Sequence, residues 1–177
     1  MPRLFTAIEI PPTVADALAA ARSGIFGARW LEPDDYHITH RFIGDVDARM
    51  ASEIADALDA VRKSSVSIQF EGLNWFGGEK PRAIVARIKP TPGLIDLQAE
   101  HERRLRGLGL PPETRNFTPH VTLASLRSVS PFAVADYLTV RGSLPAPSFE
   151  APRFVLYSAR ASVGGGPYVV ELDYPLR

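Results

Sequence analysis

The 177 residues carry 20 Lys and Arg against 20 Asp and Glu, 45% hydrophobic side chains and no cysteine. Zero formal charge excludes the global positive field that draws a protein to long nucleic acid, so a nucleic-acid substrate must be gripped locally. The missing cysteines exclude disulfides, thiolate metal sites and thiol nucleophiles, and accord with a reducing, cytoplasmic location.

Residues 4–10 read as a strand ended by Pro11-Pro12, with no apolar leader before it, and the alanine-rich 13–22 has helix-forming composition. Residues 30–43 are rich in aromatic and β-branched side chains and close at Gly44-Asp45 as a second strand. Met50, Ile54, Leu58 and Val61 then recur at helical spacing after a candidate Asp47 cap. Residues 66–76 and 83–88 read as a hairpin about Gly77-Gly78-Glu79-Lys80-Pro81. Thr91-Pro92 supplies a cap and first-turn proline for a helix whose stripe is Leu94, Leu97, His101, Leu105 and Leu108. A strand at 120–124, a short helix from Ser130-Pro131 to about residue 137, and strands at 149–159 and 168–174 around a Gly164-Gly165-Gly166 turn complete the chain.

Mixed strands and helices without a regular β-α-β rhythm predict an α+β fold. No linker divides the chain, so a single domain over 1–177 and a monomer are expected, and no apolar run reaches the roughly 18 residues that span a membrane.

One pattern occurs twice: His37-Ile38-Thr39-His40 and His120-Val121-Thr122-Leu123, each within a predicted strand. On a strand, residues i and i+2 share a face, so each histidine stands beside its own threonine and two strands can present both pairs to one cleft. Cleaving a phosphodiester needs a base for the attacking hydroxyl or water and an acid for the departing oxygen. Histidine serves as either near neutrality, and threonine hydroxyls can donate to non-bridging phosphate oxygens as charge develops. This chemistry requires no metal and no cofactor. A lone His-x-Thr is a weak signal on a half-buried sheet, whereas the pair is informative.

These motifs, with Arg3-Leu4-Phe5-Thr6-Ala7-Ile8, Trp30, Pro81-Arg82, Phe117-Thr118-Pro119, Tyr157-Ser158 and residues 164–168, resemble the 2H phosphoesterase superfamily. Within it the match is to the bacterial and archaeal RNA 2',3'-cyclic phosphodiesterase (2'-5' RNA ligase) family, and it spans nearly the whole chain. The resemblance implies a two-lobed fold with pseudo-two-fold symmetry, antiparallel sheets lining a central cleft and helices outside. It implies that His37 protonates the ribose 3'-oxygen, that His120 activates water, and that Thr39 and Thr122 hold the phosphate. The expected product is a 2'-phosphomonoester, with ATP-independent 2'-5' ligation as a side reaction.

Two departures accompany it. His40 stands where the family commonly has leucine, and Ser125 where it often has arginine, which makes Arg127 a substitute phosphate ligand by strand period. Arg41, Arg82 and Arg115 are further sources of positive charge. Phe42 is the aromatic best placed to stack on a base, ahead of Trp30, Trp75 and Phe76, while Arg41 also reads as a solvated or salt-bridged group. His40 reads as structural and His101 as a helix-flank residue. Partners expected are RNA with cyclic phosphate ends or, alternatively, small cyclic phosphates such as nucleoside 2',3'-cyclic monophosphates or ADP-ribose cyclic phosphate. A non-catalytic binder of nucleotides or RNA ends is the third reading.

Overall fold

A computed structural model describes residues 3–159 and 168–177. β1 (Arg3–Glu9) ends at the proline pair, and α1 (Pro12–Ala19) starts on Pro12, whose absent N–H has no helical partner in a first turn. The predicted 30–43 strand divides. β2 (Ala28–Trp30) stops, Pro33–Asp35 forms a 3-10 turn, and β3 (His37–Asp45) follows, because Pro33 fixes its φ and removes a ladder donor. α2 (Ala48–Asp59) is capped as expected, Asp47 Oδ1 accepting from the Met50 amide at 2.8 Å.

The 66–76 stretch also divides, into β4 (Val66–Ile68) and β5 (Phe70–Phe76), which join different sheets. β6 (Ala83–Ile88) closes the expected hairpin on β5. α3 (Pro92–Gly107) begins on Pro92, but Thr91 makes no side-chain cap, its hydroxyl donating instead to the Ser67 carbonyl at 3.4 Å. After β7 (His120–Leu126), α4 (Pro131–Arg141) runs past the expected end at 137, capped by Ser130 Oγ accepting from the Ala133 amide. Pro152 splits the predicted 149–159 strand into β8 (Phe149–Ala151) and β9 (Arg153–Ser158), and β10 (Val169–Pro175) follows. The Gly164-Gly165-Gly166 turn lies outside the described residues.

The main sheet has the order β10-β9-β1-β3-β7-β6-β5, with β2 beside β7, and its strands pair antiparallel throughout the described residues. The two lobes are β10-β9-β1-β3 and β7-β6-β5, joined where Ile38 pairs with Val121. Those residues are 83 apart (121 minus 38), as are the two helix caps, Asp47 and Ser130. The small β4-β8 sheet obeys the same relation: its central pair is Ser67 with Glu150, again 83 apart. A pseudo-two-fold axis therefore passes through both pairings, which is the α+β, two-lobed architecture expected. The sheets of the two lobes are continuous through that junction.

The helices cover one face. Leu18, Ile54, Leu58, Leu94, Leu97 and Val134 pack with Ile38, Val121 and Leu123 into the main core, each under 2% exposed. The opposite face of the first lobe carries a separate small cluster, Phe5, Ala7, Val155 and Tyr157, with Tyr168 against it. That face is the cleft.

Candidate active site

The strand period places the motifs as expected: Ile38 and Val121 are buried in the core, and His37, Thr39, His120 and Thr122 stay half-open. The Ile38–Val121 pairing, extended one residue each way, sets His37 across from Thr122 and Thr39 across from His120. Each histidine thus neighbours the threonine of its own strand and that of the other, the pattern a two-fold axis at this junction produces.

Both rings are held alike. His37 Nδ1 lies 2.8 Å from the Asp35 carbonyl oxygen, and His120 Nδ1 lies 2.7 Å from that of Thr118. A carbonyl oxygen only accepts, so Nδ1 donates in both rings and Nε2 is left to exchange a proton with a ligand.

After the motifs, each strand bulges at the equivalent position. β1 pairs Ala7 with Thr39 and Thr6 with Arg41, leaving His40 as the extra residue; β6 pairs Val85 with Thr122 and Ile84 with Ala124, leaving Leu123. The first bulge buries both His40 and Arg41 and turns Phe42 to the cleft, 46% exposed and lining both of its halves. Strict alternation also failed for Arg127: β7 ends at Leu126, and Arg127 is exposed and lines neither half. Among the described residues, Arg3 lines the cleft beside His37, and Arg82 and Arg115 line it beside His120.

Arg41 is withdrawn from the cleft. Its Nε donates to Glu102 Oε2 at 2.5 Å, Nη1 to the Phe42 carbonyl and Nη2 to that of Pro111. His101 corrects the expectation of a helix-flank residue: it is fully buried, bonded through Nδ1 to Thr6 Oγ1 at 3.0 Å, with its ring 5.1 Å from that of His40. Trp30 packs on Tyr137, and Trp75 Nε1 donates to the Gly78 carbonyl.

The two halves differ in chemistry. His37 sits among Phe5, Tyr157 and Tyr168, ring centroids 5.1, 5.8 and 4.9 Å away, in a space of about 170 Å³. His120 meets the edge of Phe76 at 4.7 Å, in a space of about 290 Å³ bordered by Gln98, Asn116, Arg82 and Arg115. Burial pushes His37 down to about 4, opposed by the Asp35 carbonyl, which favours the imidazolium, and assisted by His120. Burial also lowers His120, against the Thr118 carbonyl, which favours the imidazolium. Both shifts favour the neutral imidazole.

A family model described as LigT-like phosphoesterase matches residues 8–85 and again 88–168, one motif in each segment. The RNA 2',3'-cyclic phosphodiesterase of Geobacillus stearothermophilus is 33% identical over 163 residues, 86% of this chain and 51% of that one. Its namesake from Aeropyrum pernix is 36% identical over 99 residues, 55% of this chain and 56% of that one. The chain spans about half the length of these two relatives. The namesake from Aquifex aeolicus, 25% identical, is matched over 81% of its length. Among solved structures, a Thermus thermophilus protein superposes with a TM-score of 0.83 at 22% identity, covering 99% of this chain and 98% of that one. Escherichia coli LigT in complex with 3'-AMP gives 0.80 at 23%, covering 99% of both. At these identities the two structures speak for the fold.

Proposed function

Because the chain belongs to the LigT-like phosphoesterase family, we propose that it hydrolyses RNA 2',3'-cyclic phosphate ends by metal-independent acid–base catalysis between His37 and His120. The observation that carries this reading is the matched pair of imidazoles, each oriented by a carbonyl bond at Nδ1, on two strands that meet between them. In this reading a single phosphate lies between the two Nε2 atoms and accepts from the hydroxyls of Thr39 and Thr122.

In the step proposed, water attacks phosphorus and gives a proton to His120 Nε2. The P–O3' bond breaks as His37 Nε2 protonates O3', leaving a 3'-hydroxyl and a 2'-phosphomonoester. As the donor, His37 has to be protonated, so the bound phosphate anion has to raise it from about 4. An anion pressed against the more enclosed ring does this, because Coulomb attraction strengthens as water is excluded. An RNA 5'-hydroxyl in place of water gives 2'-5' joining by the same proton transfers. The neutral overall charge equally suits a small cyclic phosphate as substrate. The reading includes one domain acting as a monomer, and the cysteine-free composition supports a cytoplasmic setting. Among the described residues no helix is long and apolar enough to cross a membrane.

His37→Ala and His120→Ala should each lower kcat on a cyclic-ended RNA by roughly 10²–10⁴-fold with the fold intact by circular dichroism. A near-native rate in either variant defeats the mechanism.

A further inference from the structure

Why the two halves of the cleft differ follows from the register. Phe5 pairs with Phe42 on one side and Tyr157 on the other, whereas Ala83 pairs with Ser125 and Phe76. Phe42 and Ser125 each stand five residues after their histidine, so the pseudo-two-fold axis equates Phe5 with Ala83, Phe42 with Ser125 and Tyr157 with Phe76. Two large rings of the first lobe are thus replaced by small side chains in the second. The room gained lies in the half that holds Arg82 and Arg115.

These arginines come from different elements and reach the same space. Arg82 ends the β5–β6 turn with its backbone held on both sides, its amide donating to the Phe76 carbonyl at 2.7 Å and its carbonyl accepting from Leu126 at 2.8 Å. The turn itself is tight: Gly77 has φ of +109°, and a Cβ there would lie 2.8 Å from the Arg82 nitrogen. Among the described residues the Arg82 side chain has no hydrogen-bond or ion-pair partner. Arg115, from the loop before β7, is 81% exposed and shares its charge with Glu113 at 3.3 Å. Gln98 and Asn116 add amide donors.

A cyclic phosphate carries one negative charge, and the histidines and threonines already surround it. Two guanidinium groups beside it, in a chain with no net charge, provide for a second anion, and guanidinium geometry matches phosphate oxygens. We infer that Arg82 and Arg115 form a subsite for a backbone phosphate of the RNA strand next to the cyclic end, making an oligonucleotide the preferred substrate over a mononucleotide, while the aromatic half takes the terminal base. This rests on the reaction proposed above.

The test compares kcat/KM for uridine 2',3'-cyclic phosphate with that for a tetranucleotide ending in the same group, in wild type, Arg82→Ala and the Arg82→Ala/Arg115→Ala double variant. Wild type should favour the tetranucleotide by roughly tenfold or more, and the double variant should lose most of that ratio together with its salt dependence. Arg82→Lys should recover part of it. A parallel fall on both substrates overturns the inference, since it makes the arginines ligands of the reacting phosphate. An unchanged ratio also overturns it while leaving the reaction standing. Wild-type protein that cleaves neither substrate defeats the reaction and this subsite together.

Discussion

At the scale of single residues, the site's chemistry comes from what each imidazole is denied. His37 and His120 lose water but keep one carbonyl partner, and that partner fixes which nitrogen faces the ligand. His40 has lost both: it is 4% exposed, and neither ring nitrogen has a hydrogen-bond partner among the described residues. Burial pushes His40 down to about 3 and His101 well below its ordinary value, with His40 adding to the latter. In the unfolded chain these rings bind protons near pH 6.5, more readily than in the fold. Stability is therefore fully present above about pH 6.5 and falls as the pH drops toward the folded values. Leucine occupies the symmetry-related position, Leu123, fully buried. His40→Leu should accordingly flatten the loss of Tm between pH 7.5 and 5, and adds about 1–2 kcal/mol by removing buried polar atoms without partners. Equal acid sensitivity in wild type and variant contradicts this account of His40.

At the scale of elements, bulges and one ion pair shape the cleft. The extra residue at His40 breaks the strand period just past the motif; the sequence pattern put His37 and Thr39 on one face and read Arg41 as solvated or salt-bridged, and the structure shows the salt bridge but buries it. Period alone did not show that β7 stops before Arg127. Bulges, like the 3-10 turn at Pro33, are set by pairing with other strands, which a local pattern does not contain. Buried Arg41 then ties β3 to α3 and the following loop: Glu102 binds it at 2.5 Å and accepts from the Glu113 amide at 2.9 Å, while Arg41 reaches the Pro111 carbonyl. That loop continues into Arg115 and into Thr118, whose carbonyl orients His120. Removing one partner leaves a buried charge uncompensated, so Glu102→Ala should destabilise the protein by about 3 kcal/mol in urea unfolding. The double replacement Arg41→Met/Glu102→Leu should recover much of that loss. A double variant no more stable than Glu102→Ala removes this account of the pair.

At the scale of the whole molecule, the pseudo-two-fold repeat explains how the two motifs come together. Two similar halves bring two copies of one motif to a shared axis, and the divergence of Phe5 from Ala83 and of Phe42 from Ser125 makes the two halves of the cleft different. The repeated His-x-Thr was legible because both copies survive in sequence. The pseudo-two-fold symmetry was expected from the resemblance, but most of the residues it equates were not legible, since those equivalences pair unlike residues and only the strand register identifies them. His101 was misread for a related reason: its helical stripe was visible, but the long-range packing of α3 against Thr6 and His40 was not. The claim that both imidazoles act on one phosphorus is tested most directly by ³¹P NMR of a short RNA 2',3'-cyclic phosphate incubated with the protein in excess EDTA. The cyclic resonance should give way to that of a 2'-phosphomonoester; persistence of the cyclic signal, or a 3'-phosphomonoester in its place, contradicts the account.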